Sequence, residues 1–184
     1  MNCFMLGEDF FLRGAEVVAR DLLGKILVRK VNGREFRSMI VETEAYLDEE
    51  DPASRAVRNG DLRETMMMNA GTVLVYGVHN NWLVNIVTGR NGSAEAVLIR
   101  AVEPLNFEAS TKGPGLLTKA LGIEKSLHRG NVLEMEELWI ENRVDGKAFD
   151  VLDSFRIGVS ADLPKKMRFY IKDNPRVSGK KNGQ

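Results

Sequence analysis

Glu42 and Glu44, two residues apart in the stretch Ser38-Met39-Ile40-Val41-Glu42-Thr43-Glu44-Ala45-Tyr46, are spaced for acid–base chemistry. The stretch reads as a strand, and successive strand side chains point to opposite faces. Ile40, Glu42, Glu44 and Tyr46 are then expected on one side, with Met39, Val41, Thr43 and Ala45 on the other. Carboxylates so placed stand roughly 6.5–7 Å apart, and a cation, hydrogen bonds or water must offset their repulsion. Two readings are open. The acids could belong to a solvated strand face with surface ion pairs, or one of them, facing a cleft at the strand's end, could be a general base toward water.

Arg100 supplies a candidate counter-charge. It lies in the alternating run Glu95 to Val102, on the same face as Ala96 and Leu98, where a guanidinium is rarely left without an anion. A structural ion pair elsewhere would satisfy it; pairing with Glu42 or Glu44 would hold a carboxylate ionised and oriented. A third feature is the segment Gly77-Val78-His79-Asn80-Asn81 between the β-rich runs Thr72–Tyr76 and Trp82–Thr88. Its Gly and Asn residues tolerate positive φ and predict a hairpin. His79 at that exposed tip, beside Trp82, is either a plain turn residue or a planar wedge for a base stack. Lys112-Gly113-Pro114-Gly115 opens a short helix over Leu116 to Leu121, whose free backbone N–H groups could take a phosphate. Met66, Met67 and Met68 read as adaptable core filling.

The elements that must carry these groups follow from periodicity. A helix is expected from about Ala15 to Leu23, stopped by Gly24, then a strand from Lys25 to Lys30. Asn32-Gly33 is a strong hairpin signal, so the acid-bearing strand Glu35 to Tyr46 returns antiparallel. From Leu47 to Asn69 the apolar period is lost; a loop of that length, here with Arg55, Arg58 and Arg63, is usually functional or mobile. Leu138–Asn142, Asp150–Val159 and Met167–Lys172 are strand candidates, and the basic tail from Asp173 is expected to fray.

At 184 residues and 43% hydrophobic content, the chain can bury a sizeable core and fits one domain, 1–184. Twenty-six basic and 26 acidic residues cancel, which counts against a protein that merely coats phosphates. A neutral total can still hide a basic face: Glu134, Glu136, Glu137 and Glu141 crowd one stretch, and Lys165, Lys166, Arg168 and Lys172 another. Cys3 is the only cysteine, excluding an intramolecular disulfide and any Cys-clustered zinc site. With no secretory leader pattern and no apolar run near the ~20 residues that span a bilayer, a soluble, cytoplasmic protein is expected, associated with the nucleoid in a prokaryote.

Taken together, several blocks in order resemble the alkyladenine (3-methyladenine, methylpurine) DNA glycosylases: Phe10-Phe11, Ala19 to Gly24, Ile40 to Tyr46, Leu98 to Leu105, Gly113-Pro114-Gly115, Arg156 to Val159 and Arg168 to Ile171. The resemblance implies an α+β fold: a single domain with a curved, mostly antiparallel sheet, short flanking helices and a protruding hairpin. It implies no metal and no organic cofactor, and double-stranded DNA containing damaged purines as the partner; nothing in the sequence requires more than a monomer. By the same resemblance Glu44 matches a water-activating glutamate, Arg100 an arginine that positions the water, and the backbone carbonyl of Ile157 a further contact to it. Tyr46 and Tyr76 match aromatics that sandwich an extruded base, and Asn85 an asparagine that screens the 2-amino group of guanine.

The chain departs from the family pattern at Arg55, where histidine is common, and at Leu116, where lysine is frequent. The hairpin tip is one residue shorter, with His79 near the usual tyrosine. The implied activity is hydrolysis of the N-glycosidic bond of 3-methyladenine, 7-methylguanine or hypoxanthine, flipped out of duplex DNA, without strand cleavage. The alternatives are a non-catalytic module that binds damaged DNA and a hydrolase of free nucleosides.

Overall fold

The computed structural model describes residues 4–144 and 146–179. Strands β1 (Ile26–Val31) and β2 (Arg34–Tyr46) are joined through Asn32 and Gly33, both at positive φ, the two-residue turn whose twist matches that of paired strands. β2 is the spine of the molecule. One edge of it pairs antiparallel with β5 (Glu95–Pro104). The other edge pairs with β1 over Arg34–Met39 and then with β8 (Arg168–Ile171) over Glu42–Glu44. β3 (Val73–Val78) and β4 (Asn81–Thr88) continue the sheet beyond β5, β6 (Leu138–Glu141) lies outside β1, and β7 (Val151–Ser154) pairs with β8.

Four short helices flank this curled antiparallel sheet among the described residues: α1 (Glu8–Phe11), α2 (Ala15–Asp21), α3 (Asp61–Met66) and α4 (Pro114–Leu121). The architecture is α+β, as expected. One sheet face buries Phe11, Val18, Leu22, Val75, Ile86, Val97, Ile99, Leu117 and Phe169 in the main core. The alternate residues Leu74, Val87 and Ala96 turn to a smaller cluster with Ala56 and Met66, so each strand of this half serves both faces.

Strict alternation fails in the middle of β2. The β2–β5 register shifts between Ile40 and Glu42 and again between Glu42 and Thr43, so Val41 and Arg100 have no direct opposite. A bulge of this kind re-aims side chains. Ile40, expected beside the acids, joins Val41 in the main core, and Ala101 and Val102 do the same on β5. The irregularity falls where β2 exchanges β1 for β8.

Other expectations are corrected. The segment 47–69 is not irregular throughout: it holds a 3₁₀ turn at Arg55–Val57 and the helix α3. The hairpin turn is only His79-Asn80, both at positive φ, because Gly77, Val78 and Asn81 remain paired. Met66 is buried, whereas Met67 and Met68 lie at the surface. The strand expected over Asp150–Val159 ends at Ser154. The tail does not fray at Asp173: Val177 and Ser178 are buried and Asn174 donates to Glu103 Oε2 at 2.7 Å, while 180–184 lie outside the described residues. No helix among the described residues is long and apolar enough to cross a membrane.

Candidate active site

Glu42 and Glu44 are both fully buried, which rules out the solvated strand face. Arg100 reaches both, with Nε 2.9 Å from Glu42 Oε1 and Nη1 3.2 Å from Glu44 Oε1. A second guanidinium, Arg168 from β8, donates Nε to Glu42 Oε1 at 2.7 Å. Two carboxylates and two guanidiniums therefore balance, the condition under which buried charges persist.

Glu44 takes three contacts. Its Oε1 accepts from the backbone N–H of Ile157 at 2.8 Å and faces Arg100; its Oε2 accepts from the Tyr46 hydroxyl at 2.7 Å. A carboxylate offers about four lone-pair directions, so acceptor capacity for one further donor is left. Burial pushes the Glu44 carboxyl above the ordinary glutamate range, against the opposing pull of Arg100, the Ile157 N–H and Tyr46. Burial, then the adjoining Glu44 charge, likewise raise the Tyr46 phenol, which stays a proton donor. A carboxylate raised toward neutrality is the setting of a general base.

In front of this group opens a cavity of about 520 Å³. Tyr46, Arg100 and Ile157 line it where Glu44 lies behind them; Tyr76, Arg55, His79 and Leu98 form further wall, and Pro114 and Gly115 at the start of α4 reach its edge. Each tyrosine has a cation on its ring, Arg156 at 4.7 Å from the Tyr46 centroid and Arg55 at 4.8 Å from Tyr76. His79 is exposed at the hairpin tip. Gly115 lies against Asn81, where an added Cβ would meet the Asn81 side chain at 2.7 Å; α4 thus braces the hairpin beside its turn.

The structure brings Arg100, Ile157, Tyr46, Tyr76, Arg55 and His79 to one cavity; Glu44, fully buried, does not line it and touches three of the lining residues, Tyr46, Arg100 and Ile157. Asn85 is apart: it is buried, donates Nδ2 to Leu74 O at 3.2 Å, and does not line the cavity. The Ile157 carbonyl, expected to contact a water, accepts from Arg100 Nη1 at 3.5 Å, and the closer contact at this residue is its N–H to Glu44. Ile157 is held from both sides. The neighbouring Arg156 grips Asp51 through two nitrogens at 2.6 and 2.7 Å, Ala45 O at 3.0 Å, and Asp162. Arg156, Asp51, Arg168 and Ser178 were not singled out for a role by sequence reasoning. The one available signal was the pair of arginines within the blocks at 156 and 168.

Residues 9–175 match the family model for methylpurine-DNA glycosylase (MPG). The chain is 44% identical over 181 residues to a protein of Aeropyrum pernix, covering 95% of this chain and 93% of that one. It is 41% identical over 197 residues to one from Chlorobium phaeobacteroides (97% and 98% covered) and 35% identical over 196 residues to one from Natranaerobius thermophilus (94% and 98%). All three are provisionally named 3-methyladenine DNA glycosylases. With that match, over a chain whose buried carboxylate lies behind an aromatic-walled cavity, this protein belongs to the methylpurine-DNA glycosylase family, DNA-repair hydrolases acting on N-glycosyl bonds.

Proposed function

We propose that this enzyme removes alkylated or deaminated purines, among them 3-methyladenine, 7-methylguanine and hypoxanthine, from duplex DNA by a water that Glu44 activates. The supporting observation is the caged carboxylate: Glu44 is fully buried, paired to Arg100 at 3.2 Å and tied to the Ile157 N–H at 2.8 Å, behind a cavity walled by Tyr46 and Tyr76. The glycosidic bond inside a duplex is out of reach, so the nucleotide is rotated out at a cost of a few kcal/mol, least for damaged bases. The base enters between the tyrosines, whose faces suit an electron-poor purine.

Glu44 takes the proton of the attacking water, and its charge steadies the oxocarbenium-like sugar as the base departs. Arg100 and the Ile157 carbonyl hold the water. A purine alkylated at N3 or N7 is positively charged and leaves readily, so no further acid is required. Hydrolysis yields an abasic site, with no strand scission. Asn85 acts from behind the wall, shaping rather than touching the space that a guanine amino group would need.

His79 fills the vacated stack. Support comes from the two-residue turn: His79 and Asn80 stand at φ 47° and 62°, the left-handed pair of a tight hairpin turn, which puts His79 at the exposed tip. Asn81 Nδ2 also donates to His79 O at 2.9 Å.

Arg55 carries a fixed positive charge on the Tyr76 ring and lines the cavity. It is expected to favour neutral hypoxanthine over cationic 7-methylguanine. Duplexes bearing one or the other, incubated with protein and heated in alkali, report abasic sites as strand breaks above those of a protein-free control, which hot alkali itself produces at 7-methylguanine. Alkali-labile breaks are expected at both lesions, and Arg55→His is expected to shift the ratio of rates toward 7-methylguanine. An absence of breaks refutes the enzyme; an unchanged ratio removes Arg55 from lesion choice.

A further inference from the structure

Glu42 does not line the cavity, yet it gathers four donors: Arg100 Nε at 2.9 Å, Arg168 Nε at 2.7 Å, and both the hydroxyl and the backbone N–H of Ser178 at 2.9 and 2.6 Å. Ser178 lies 136 residues away in sequence. Its hydroxyl also receives Arg100 Nη2 at 3.3 Å, and its carbonyl receives Arg168 Nη2 at 2.8 Å. All three nitrogens of Arg100 are thereby assigned: Nε to Glu42, Nη1 to Glu44 and the Ile157 carbonyl, Nη2 to Ser178. A guanidinium held at each nitrogen has one orientation.

The residues on either side of Ser178 continue the contact. Val177 is fully buried in the main core and anchors the segment. Gly179, at φ +68°, passes so close to Ile157 that an added Cβ would stand 2.7 Å from Ile157 Cδ1. One short segment therefore touches both the arginine that faces Glu44 and the residue whose N–H binds it.

We infer that Val177-Ser178-Gly179 is a positioning element of the catalytic centre, which orients Arg100 through Ser178 and Glu42 and seats Ile157 through Gly179. The inference rests on the reading of Glu44 and Arg100 given above. Without the Ser178 hydroxyl, Arg100 loses its Nη2 partner and turns toward Glu42, lengthening its contact with Glu44. A misplacement of about 1 Å in such a site costs on the order of 100-fold in rate.

Single-turnover base release and affinity for a hypoxanthine duplex test this. Ser178→Ala is expected to release base ~10–100-fold more slowly at unchanged affinity, with the acid limb of the pH–rate profile displaced upward because Arg100 holds the Glu44 charge less well. Ser178→Thr, which keeps the hydroxyl, is expected to restore the rate and the limb. Should Ser178→Ala yield no folded protein, Gly179→Ala, which presses on Ile157 and strains a backbone at φ +68° while leaving the Ser178 hydroxyl in place, is expected to slow release likewise. Glu44→Gln measured in parallel separates the two claims. Release that persists in Glu44→Gln defeats the reading of the site. Release abolished there, but natural in rate and pH midpoint in Ser178→Ala and Gly179→Ala, defeats the positioning role alone.

Discussion

Glu44→Gln is expected to bind a lesion-containing duplex as tightly as the natural protein and to release the base about 10²–10⁴-fold more slowly, the contribution of a positioned general base. The amide keeps the size of the side chain. Its oxygen still accepts from the Ile157 N–H, and the Tyr46 hydroxyl, 2.7 Å from Oε2 in the natural protein, turns from donor to acceptor. Arg100 retains Glu42 at 2.9 Å, so the buried guanidinium is not orphaned. What the proposed mechanism then lacks is the charge that takes the water's proton and faces the developing sugar cation. A module that only binds damaged DNA would be indifferent to the change, and a hydrolase of free nucleosides would lose activity without the steep salt dependence that phosphate contacts impose. Single-turnover release and a binding isotherm at fixed salt measure both quantities.

The largest effect on stability is expected at Asp51. Its carboxylate and the Arg156 guanidinium are both fully shielded from solvent and meet through two contacts, and Asp51 also accepts from the Leu47 and Ala53 N–H groups at 3.0 and 3.1 Å. Burial alone would raise this carboxyl; the Arg156 hydrogen bonds and the two backbone donors outweigh it and hold Asp51 below the ordinary aspartate range. Breaking one side of a buried pair costs about 3–5 kcal/mol, so Asp51→Asn is expected to lower the melting temperature by roughly 6–20 °C for a chain of this size.

The sign with pH follows. A carboxyl depressed in the folded state contributes stability that is present above its unfolded pKa and lost as pH falls through its folded one. The natural protein should therefore lose this contribution in acid, and Asp51→Asn should show a flatter decline there. A melting temperature unchanged at neutral pH would remove the pair from the account. Excision is expected to fall as well, because Arg156 precedes Ile157 and backs the Tyr46 ring at 4.7 Å.

The sheet was largely legible because its strands alternate and its turns carry their own chemistry, as at Asn32-Gly33. That Arg100 would seek an anion was legible too, since it stands among Ala96 and Leu98; that it takes both Glu42 and Glu44 was not. Four further features were not, each for a physical reason. The bulge that carries Ile40 into the core belongs to the pairing of two strands, and neither strand shows it alone. α3 reads Asp-Leu-Arg-Glu-Thr-Met and buries only Thr65 and Met66, too little for an apolar period to appear. The alternation of Phe155, Ile157 and Val159 imitated a strand, yet Phe155 and Ile157 are exposed where the chain turns to deliver Arg156 and Ile157 to the site. The tail around Ser178 is polar and basic, and its contacts are hydrogen bonds to Glu42 made across the fold, which leave no periodic trace.

The activity of the family and the architecture of the chain leave one central claim: that the buried carboxylate at position 44 is the proton acceptor for water. Single-turnover release of 7-methylguanine against pH, for the natural protein beside Glu44→Gln, tests it most directly, since this leaving group is already cationic and needs no acid. The base works when ionised, and burial raises its pKa, so the rate is expected to climb by one proton through a midpoint above the ordinary glutamate range. In Glu44→Gln that limb is expected to vanish, leaving a slow rate independent of pH. A limb with the same midpoint in the glutamine variant, or release at the natural rate, would contradict the account.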